Sequence, residues 1–364
     1  MQLTEDFRSI VLNNTPLLDV RAPVEFEKGA FTQTTNLPIL TDKERELVGT
    51  MYKEQGNAAA VELAEELIQE SGKNERVQEW KNYLQKNPNA LLYCFRGGQR
   101  SGIAQAWLGE VGINITRLKG GYKAFRNFLM QESLDISKEL KTTIIGGRTG
   151  SGKTILLQEL ENAIDLEGLA HHRGSTFGGF VNAQPTQINF ENDLAYALIQ
   201  LQEKGFKELV IEHESHNVGR IFIPKEIYEN FMDGELILLE TPLEQRTAII
   251  FEEYIENALS SYIEKYNDRG IQKWSDNIAK NLDRIQKRVG SKRHKELKIL
   301  FEDALKNQLD NDTLQGYKPL IEKLLIEYYD PMYDYQIQKS KIPVIFKGNY
   351  AEILEFLHKR NAAK

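Results

Sequence analysis

The sequence holds a single cysteine, Cys94, in 364 residues. One cysteine excludes an internal disulfide and any zinc site that needs several cysteines. No apolar run approaches the roughly 18 residues of a membrane-spanning helix, so we expect no membrane partner. The opening residues, MQLTEDFRSIVLNN, lack the basic and apolar regions of a secretory signal peptide, and we therefore expect a cytoplasmic protein.

Basic residues are also in short supply, because 46 Lys and Arg stand against 53 Asp and Glu and give a net charge of −7. This acidity argues, at first sight, against a nucleic-acid partner. The hydrophobic fraction of 41% and the charged fraction of 27% are ordinary for a globular protein. At about 100–200 residues per domain, the length favours two domains.

Strand and helix patterns alternate along most of the chain. Short apolar runs predict strands, and apolar residues at helical spacing predict the helices between them. The predicted strands lie at 15–20, 90–94, 113–118, 142–145, 209–211, 236–239 and 342–346, and the predicted helices lie at 58–69, 101–111, 125–141, 154–164 and 350–358. Such alternation predicts α/β domains with parallel sheets covered by helices.

The pattern restarts near residue 137 with a β-branched strand and a glycine-rich turn, which predicts domains at 1–136 and 137–364. From about 245 to 330 the sequence is helical in pattern and highly charged. We therefore expect a helical insertion before the last strand of the second domain.

The glycine-rich turn has the sequence GRTGSGKT and fits the pattern G-x-x-x-x-G-K-[ST] of a phosphate-binding loop. Glycines let backbone N–H groups approach phosphate closely, and the following helix N-terminus favours an anion. The lysine adds a positive charge and the threonine a hydroxyl for Mg²⁺. The residues expected to bind phosphate here are Gly147, Thr149, Gly150, Ser151, Gly152, Lys153 and Thr154.

An acidic strand, LVIEHES at 209–215, is the expected partner of this loop. A carboxylate at the end of a buried strand beside such a loop commonly holds Mg²⁺. We expect Thr154 and Glu212 to bind Mg²⁺, with Glu214 as the second candidate. No tightly bound cofactor is expected.

Cys94 falls at the end of a predicted strand, just before the segment FRGGQRS and a helix. Backbone amides, a helix N-terminus and the cations of Arg96 and Arg100 would stabilise a thiolate at this position. A lone cysteine is more often a small buried hydrophobe. Gly97 and Gly98 together with the two arginines favour the reactive thiol.

Three segments of the first domain resemble rhodanese sulfurtransferase domains. CFRGGQRSG at 94–102 is similar to their cysteine loop, LDVRAPVEF at 18–26 to their opening strand, and LKGGYKAF at 118–125 to their closing strand and turn. One departure is Gly29-Ala30-Phe31, which stands where the fold usually has G-H-I, and we expect its role to be structural.

A rhodanese-like domain joined directly to a phosphate-loop domain resembles the tRNA 2-selenouridine synthase family. Further similar segments lie at 44–56, 172–178, 184–187, 190–192, 212–220 and 328–333. The resemblance implies a rhodanese-like parallel-sheet domain followed by a P-loop NTPase-like α/β domain with a helical insertion. It covers most of the chain and thins in that insertion.

The resemblance also implies a reaction on tRNA that carries 2-thiouridine at the wobble position. Family members replace its sulfur by selenium from selenophosphate, and they form an S-geranyl intermediate from geranyl diphosphate. The implied catalytic residues are Cys94, Arg96, Gly97, Gly98 and Arg100, with Cys94 carrying selenium as a perselenide. The phosphate loop would hold the diphosphate of the prenyl donor.

Other candidate residues have both a functional and a structural interpretation. His172 and Arg173 lie in a polar loop suited to diphosphate or tRNA, and Arg246 is either a phosphate ligand or an exposed helix residue. Asp19 and Arg21 are expected to stabilise the first domain. Three tyrosines are expected either to stack on bases or a prenyl chain or to pack in a core: Tyr328, Tyr329 and Tyr333.

The overall acidity hides a basic segment, because residues 269–298 contain ten Lys or Arg and three Asp or Glu, a local net charge of +7. An apolar stripe at helical spacing leaves the other faces of this helix basic, which suits tRNA phosphates. Trp274 is either a core residue or a stacking platform. The residues expected to bind tRNA are Lys280, Arg284, Lys287, Arg288, Lys292 and Arg293.

Two other functional hypotheses stay open at this point. The first is an ATP-dependent tRNA sulfurtransferase, in which a kinase-like domain activates a carbonyl oxygen. The second is a nucleotide-switched RNA-binding module with a vestigial rhodanese domain. The intact loop around Cys94 argues against the second, because a vestigial domain need not keep it.

Overall fold

Two separate parallel sheets organise the chain in a computed structural model that describes residues 2–362. The strands, in chain order, are β1 (Leu3–Thr4), β2 (Leu17–Asp19), β3 (Thr34–Asn36), β4 (Leu91–Tyr93), β5 (Thr116–Leu118), β6 (Lys141–Gly147), β7 (Glu208–Glu212), β8 (Asn217–Val218), β9 (Ile221–Phe222), β10 (Glu235–Leu239) and β11 (Val344–Gly348). Each strand predicted from an apolar run is present, with ends shifted by a few residues. β1, β3, β8 and β9 were not predicted; each is only two or three residues long.

Helices occupy most of the chain between the strands. In chain order they are α1 (Phe7–Leu12), α2 (Pro23–Lys28), α3 (Asp42–Gln55), α4 (Asn57–Lys86), α5 (Gln99–Glu110), α6 (Gly121–Glu139), α7 (Lys153–Gln158), α8 (Leu166–Leu169), α9 (Gln187–Glu203), α10 (Lys225–Met232), α11 (Leu243–Ile250), α12 (Asn257–Tyr266), α13 (Gly270–Val289), α14 (Ser291–Asn311), α15 (Lys318–Leu324), α16 (Asp330–Lys339) and α17 (Tyr350–Ala362). Within the described residues, no helix is long and apolar enough to cross a lipid bilayer.

The described chain divides into two units. Unit 1 comprises residues 2–136 and 186–205, and unit 2 comprises residues 137–185 and 206–362. The sequence placed a boundary near 137, but it assigned all of 137–364 to the second domain. The segment 186–205 instead packs in unit 1, and the ends of the predicted domains at Met1 and at 363–364 lie outside the described residues.

Unit 1 is built on a five-stranded sheet with the strand order β1-β5-β4-β2-β3. All four strand pairings are parallel, as the alternating pattern predicts. Leu17, Leu18 and Leu92 on its central strands are fully buried. The loops that follow β2, β4 and β5 therefore emerge at one edge, where the carboxyl ends of parallel strands meet.

Helix α9 joins unit 1 through polar contacts that an amphipathic pattern cannot reveal. The Asn189 side chain accepts a hydrogen bond from the Ala30 N–H at 2.8 Å, and the Asn192 amide donates to the Ala30 carbonyl at 2.7 Å. Arg126 of α6 forms an ion pair with Glu191. The Ala30 segment, where the sequence departs from the rhodanese pattern, thus has the expected structural role.

Unit 2 has a four-stranded parallel sheet in the order β11-β10-β6-β7. The expected insertion is present as α11 to α16, with π-helical segments at Phe251–Glu256 and Leu325–Tyr329. Its helices enclose a hydrophobic core of their own. The predicted apolar stripe of α13 is buried in that core and consists of Ile278, Leu282, Ile285 and Val289.

Candidate active site

The loop that carries Cys94 connects β4 to α5 and rests on the turn after β5. The Cys94 carbonyl accepts a hydrogen bond from the Tyr122 N–H at 2.9 Å. Gly97 has φ +61°, and a Cβ at this position would lie 2.5 Å from the Leu118 carbonyl oxygen. Only glycine fits this close approach, which explains why the two glycine-rich segments at 97–98 and 120–121 occur together.

Arg117, which the sequence interpretation did not single out, holds the same loop from β5. One of its Nη groups donates to the carbonyl oxygens of Gly97 and Gly98, at 3.1 Å and 3.2 Å. A charged donor to two loop carbonyls fixes the path of the backbone. In the sequence, Arg117 comes one residue before the end of the predicted strand at 113–118. This position beside the glycine-rich turn is the signal that could have identified it.

The Cys94 thiol is only 3% exposed, and its Sγ lies 3.2 Å from the Ser101 hydroxyl. Arg100 shares its charge with Glu25, because its two Nη groups donate to the carboxylate at 2.5 Å and 3.0 Å. Arg96 is exposed and makes no ion pair with any residue of the described chain. The two arginines therefore differ in kind: Arg100 is fixed in place and Arg96 is available to an anion.

Burial alone would raise the pKa of Glu25, but the hydrogen bonds and charge of Arg100 outweigh it and lower that pKa. Asp19 and Arg21 form a fully buried ion pair at 2.7 Å, and the Arg21 guanidinium lies 4.0 Å from the centre of the Tyr122 ring. This pair ties β2 to the turn after β5, so its expected structural role is confirmed.

Cys94 lies at the wall of an open cavity in unit 1, in which the centre of a water molecule can occupy about 1050 Å³. We name it the cysteine cavity. Its lining includes Cys94, Arg96, Gly98 and Arg100 and residues of α3 and α4. Four of the five expected catalytic residues, Cys94 included, thus line the same space, and the fifth, Gly97, does not line it.

The phosphate loop runs from the end of β6 to the start of α7, as its motif predicts. Gly150 and Gly152 have φ +78° and +86°, which favour glycine. A Cβ on Gly150 would lie 2.7 Å from the Ile250 side chain. The Lys153 ammonium donates to the Gly147 carbonyl at 3.1 Å, and α7 that follows is only six residues long.

A polar cavity above this loop, which we name the phosphate cavity, admits the centre of a water molecule over about 240 Å³. Arg173 lines it, whereas His172 and Glu212 do not. The expected phosphate-binding residues that line it are Gly147, Thr149, Gly150, Ser151, Gly152, Lys153 and Thr154. His172 instead closes its own loop, because its N–H donates to the Glu167 carbonyl at 3.0 Å, and burial lowers the pKa of its imidazole.

Three carboxyl groups from two segments, the end of β7 and helix α8, meet beside the phosphate cavity. Glu212 is buried below it, where one carboxylate oxygen accepts the Glu167 N–H at 2.6 Å, and burial raises the pKa of Glu212 to about 8. Burial and the neighbouring Glu214 raise the pKa of Glu167 to about 9. Glu214 and Glu167 both line the cavity. The second of the two strand-end candidates, Glu214, is therefore the one that faces the phosphate loop.

The described residues contain no cluster of three or more His, Cys, Asp or Glu arranged to hold a metal ion. Thr154 and Glu214 nevertheless place a hydroxyl and a carboxylate in the phosphate cavity. Mg²⁺ is usually held by one or two protein oxygens and the phosphates of its substrate. The donor set fits Mg²⁺ only when a diphosphate supplies the remaining oxygens.

A third cavity, narrow and apolar, adjoins the phosphate cavity inside unit 2, and we name it the apolar cavity. The two cavities share the lining residues Thr149, Arg173, Ser175, Ile250, Tyr254 and Tyr329. Beyond these the wall of the apolar cavity is largely aliphatic and comes from the insertion, including Ile255, Ala258, Ile278, Leu320, Leu324 and Leu325. The centre of a water molecule can occupy about 70 Å³ of it.

Aromatic rings and one cation mark the junction of these two cavities. The Arg173 guanidinium lies 4.1 Å from the Phe180 ring centre and 4.9 Å from that of Tyr254. Trp274 is buried in the wall of the apolar cavity, so it is a core residue and not an exposed stacking platform. Tyr329 lines both cavities. Sequence reasoning found the phosphate loop but not this apolar cavity, because its residues come from distant segments.

Arg246 is buried, so its interpretation as an exposed helix residue was wrong, and its interpretation as a phosphate ligand stays a prediction. Its guanidinium is buried and donates to the Asp330 carboxylate at 2.8 Å and 3.1 Å, and Arg246 is not among the residues that line the phosphate cavity. Tyr333 lines the phosphate cavity, and Tyr328 is buried with its hydroxyl 3.2 Å from a guanidinium nitrogen of Arg288.

The six residues expected to bind tRNA are all exposed on α13 and at the start of α14. Lys280, Lys287 and Lys292 make no ion pair with any described residue. Arg293 pairs with Glu327 at 3.2 Å, and Arg284 donates to Asn281 at 3.1 Å. The lysines therefore leave a basic surface open to an anionic partner.

Comparisons with known proteins agree on both halves of the chain. Residues 4–128 match the family model of the rhodanese-like domain, and residues 140–364 match that of the tRNA 2-selenouridine synthase AAA domain. Curated proteins named tRNA 2-selenouridine synthase are 54% identical in Sulfurovum sp. (strain NBC37-1), 46% in Hydrogenovibrio crunogenus and 43% in Shewanella woodyi. Each alignment covers 97–98% of this chain and 97–99% of the relative. The chain therefore belongs to the tRNA 2-selenouridine synthase family.

Proposed function

We propose that this enzyme converts 2-thiouridine at the wobble position of tRNA to 2-selenouridine, with selenophosphate as the selenium donor and S-geranyl-2-thiouridine as the intermediate. The names of its relatives supply the tRNA and the selenated product. The observation that carries the prenyl step is the union of the phosphate cavity with the apolar cavity across six shared residues. A prenyl diphosphate has these same two parts, joined at the carbon that reacts.

The apolar cavity fits a short prenyl chain better than a nucleoside. A single water needs roughly 10–15 Å³ of such space, so 70 Å³ corresponds to a row of a few water-sized positions. An adenosine would bring many polar groups against a mostly apolar wall in which Asn277 and Asn281 are the side-chain amides, and each polar group left without a partner costs desolvation free energy. For this reason we prefer geranyl diphosphate over ATP: the phosphate loop would accept the phosphates of either, but the apolar cavity favours the prenyl chain.

Transfer of the geranyl group then follows from the residues of the two cavities. The uridine sulfur attacks the first carbon of the geranyl chain, the carbon–oxygen bond breaks, and diphosphate leaves with the electron pair. Loop N–H groups, Lys153 and Arg173 stabilise the charge that develops on diphosphate. The Tyr254 and Tyr329 rings at the junction can stabilise positive charge on the reacting carbon.

Mg²⁺, when bound, would be held by Thr154, Glu214 and diphosphate oxygens, and it would supply further charge to stabilise the leaving group. The N–H groups of the phosphate loop and Lys153 also stabilise the leaving diphosphate, and they do so whether or not Mg²⁺ is bound. Lys153 donates to the Gly147 carbonyl at 3.1 Å, so its ammonium is already held at the loop before the diphosphate binds.

Selenium exchange is proposed to take place at Cys94. The S-geranyl group is a better leaving group than a thiocarbonyl sulfur, because it departs as a thiol. The selenium of selenophosphate forms a bond to C2 of the base, geranylthiol leaves, and water cleaves the selenium–phosphorus bond to release phosphate. A perselenide on Cys94 would instead need an oxidant and then a reductant, and Cys94 is the only cysteine. We therefore prefer the redox-neutral exchange, with Cys94 and Arg96 holding the selenium donor.

The decisive experiment supplies the purified enzyme with thiolated tRNA and geranyl diphosphate, and then with selenophosphate, and identifies the nucleosides by mass spectrometry. We expect S-geranyl-2-thiouridine after the first addition and 2-selenouridine after the second. Absence of both products would overturn the proposal. ATP hydrolysis that depends on tRNA, with no geranyl transfer, would favour the sulfurtransferase hypothesis instead.

A further inference from the structure

The cysteine cavity has an apolar wall that a thiol and a selenophosphate anion do not require. The wall comes from α3, α4 and α5 and includes Val48, Val61, Ala64, Ile68, Ile103 and Trp107. It faces the same space as Cys94. An exposed apolar surface of this kind marks a binding site for an apolar group.

Helix α3 presents part of this wall without being buried itself. It extends over 14 residues, and none of them is buried. Polar contacts hold it instead, because Thr41 and Glu44 form a capping box and Glu44 pairs with Arg76 at 2.8 Å. Its apolar side chains are therefore left available: Val48 lines the cavity, while Leu47 points elsewhere and is 44% exposed.

Exposed cations lie at the same cavity as the apolar wall. Four exposed cations line it, against two exposed acids, Glu46 and Glu65, so the rim is basic on balance. The cations are Lys28, Arg45, Lys53 and Arg96. A basic rim attracts phosphate groups, and the wall beside it attracts a hydrocarbon. A thiol, a basic rim and an apolar wall together match one kind of ligand, an alkylated nucleotide of a nucleic acid.

We propose that the apolar wall of the cysteine cavity binds the S-geranyl group of the modified uridine and releases it as geranylthiol. This inference rests on the proposed function, and it adds a second prenyl-binding site, separate from the apolar cavity. In the exchange the C2–Se bond forms, and the C2–S bond breaks with its electron pair going to sulfur. The geranylthiolate then takes a proton from solvent, and selenophosphate is the co-reactant.

Two substrates that differ only in the alkyl group test the proposal. Full-length enzyme is given tRNA carrying either S-geranyl-2-thiouridine or S-methyl-2-thiouridine, together with selenophosphate, and the rate of 2-selenouridine formation is measured for each. We expect the wild-type enzyme to prefer the S-geranyl substrate. Val48→Asp should reduce this preference by about tenfold, the effect of losing about two buried methylene groups.

Leu47→Asp is the matched control, because it places the same charge on the neighbouring residue of α3, outside the cavity. It should keep the wild-type preference. Geranylthiol added to the reaction gives a second measurement, since it should inhibit the wild-type enzyme and inhibit Val48→Asp about tenfold less. Val48 is half-buried and packs against the core of unit 1, so the Tm of both variants is measured and the preference is compared at a temperature where both are folded.

The outcomes separate this inference from the proposed function. If the wild-type enzyme forms no S-geranyl-2-thiouridine and converts neither alkylated tRNA, the proposed function fails. If it converts both but has no preference for the S-geranyl group, the inference alone is overturned. It is also overturned if Val48→Asp slows both substrates equally, which would mean that the wall supports the fold or another ligand.

Discussion

The apolar cavity of unit 2 and the cysteine cavity of unit 1 both combine hydrocarbon with positive charge, but they differ in openness. The volume open to the centre of a water molecule is about 70 Å³ in the apolar cavity and about 1050 Å³ in the cysteine cavity. A narrow cavity suits a free prenyl diphosphate, which has only a chain to bury. An open cavity suits the same chain once it is attached to a tRNA, because the nucleotide must enter with it.

The acids near the two cavities differ as well. Glu25 of unit 1 is paired with Arg100, so its pKa is lowered despite burial. Burial raises the pKa of both Glu212 and Glu167 of unit 2, and the nearby acids Asp165 and Glu214, respectively, raise these pKa values further. The acid of the cysteine cavity is therefore charged and paired with an arginine, whereas Glu167 in the phosphate cavity has a raised pKa beside the expected anion.

The largest expected effects come from removing the central residue of each site. Cys94→Ala should lower selenium insertion by about a hundredfold, because the selenium donor loses a positioning contact, while geranyl transfer continues. Lys153→Ala should lower geranyl transfer by about 10²–10³ through lost stabilisation of diphosphate, while tRNA geranylated beforehand is still selenated. Lys141→Ala, at an exposed lysine in unit 2, is the control. Loss of both activities in either variant would mean that the two cavities do not work separately.

Filling the narrow cavity should have a smaller effect that depends on chain length. Ala258 lines the apolar cavity, and Ala258→Phe should raise the KM for geranyl diphosphate by about tenfold because less of the chain can be buried. The KM for dimethylallyl diphosphate, which has a shorter chain, should change less. Ser260→Phe, at an exposed position of the same helix, should change neither. Equal effects on both donors would argue against a prenyl chain in this cavity.

The basic surface is expected to contribute less per residue. Lys287→Ala should weaken tRNA binding by a few fold and reduce the slope of log affinity against log salt by about 0.7–0.9. Titrations at several salt concentrations measure both quantities. Lys359→Ala is the control, since this lysine is paired with Glu355 at 2.5 Å on α17. An unchanged salt slope would mean that Lys287 makes no phosphate contact.

The smallest expected effect concerns stability and pH in unit 2. The pKa of Glu212 is about 8 in the folded chain and 4.5 ordinarily, so between these values the folded state holds a proton that the unfolded state has lost. The free energy of unfolding therefore falls as pH rises from 4.5 to about 8. Glu212→Gln should make this decline shallower and raise the Tm at pH 8.

Thermal unfolding followed from pH 5 to about 8 checks this expectation. Glu226→Gln, at an exposed glutamate of α10, is the control and should leave the decline as it is. A Glu212→Gln profile parallel to that of the wild type would show that Glu212 is ionised in the folded chain.

Much of the fold could be predicted because its signals are local. Apolar runs and helical spacing located the principal strands, and the buried stripe of α13 follows from periodicity alone. The assignment of α9 to unit 1 could not be predicted, since Asn189 and Asn192 meet Ala30 only after the chain has folded. Helix α9 lies between β6 and β7 of unit 2 in the chain, and nothing in its sequence indicates that it packs in unit 1.

The candidate site also combines features that the local sequence predicts with features that depend on the tertiary structure. Contiguous motifs identified Cys94 and Lys153, because a loop that wraps an anion needs glycines and cations at fixed spacing. Arg117 supports the cysteine loop from another strand, and the choice between Glu212 and Glu214 depends on the path of the chain after β7 ends at Glu212. Arg246 was misjudged because its partner, Asp330, lies 84 residues away in the sequence.

By itself the sequence determined the two α/β units, the phosphate loop, the cysteine loop and the basic helix, each of which is written in neighbouring residues. Only the tertiary structure decided that the phosphate loop opens onto an apolar cavity and that Cys94 faces an apolar wall. Both cavities are lined by segments far apart in the chain, from residues 149 to 329 and from 21 to 188. Periodicity predicts that such side chains are apolar, but their packing decides which of them enclose a space.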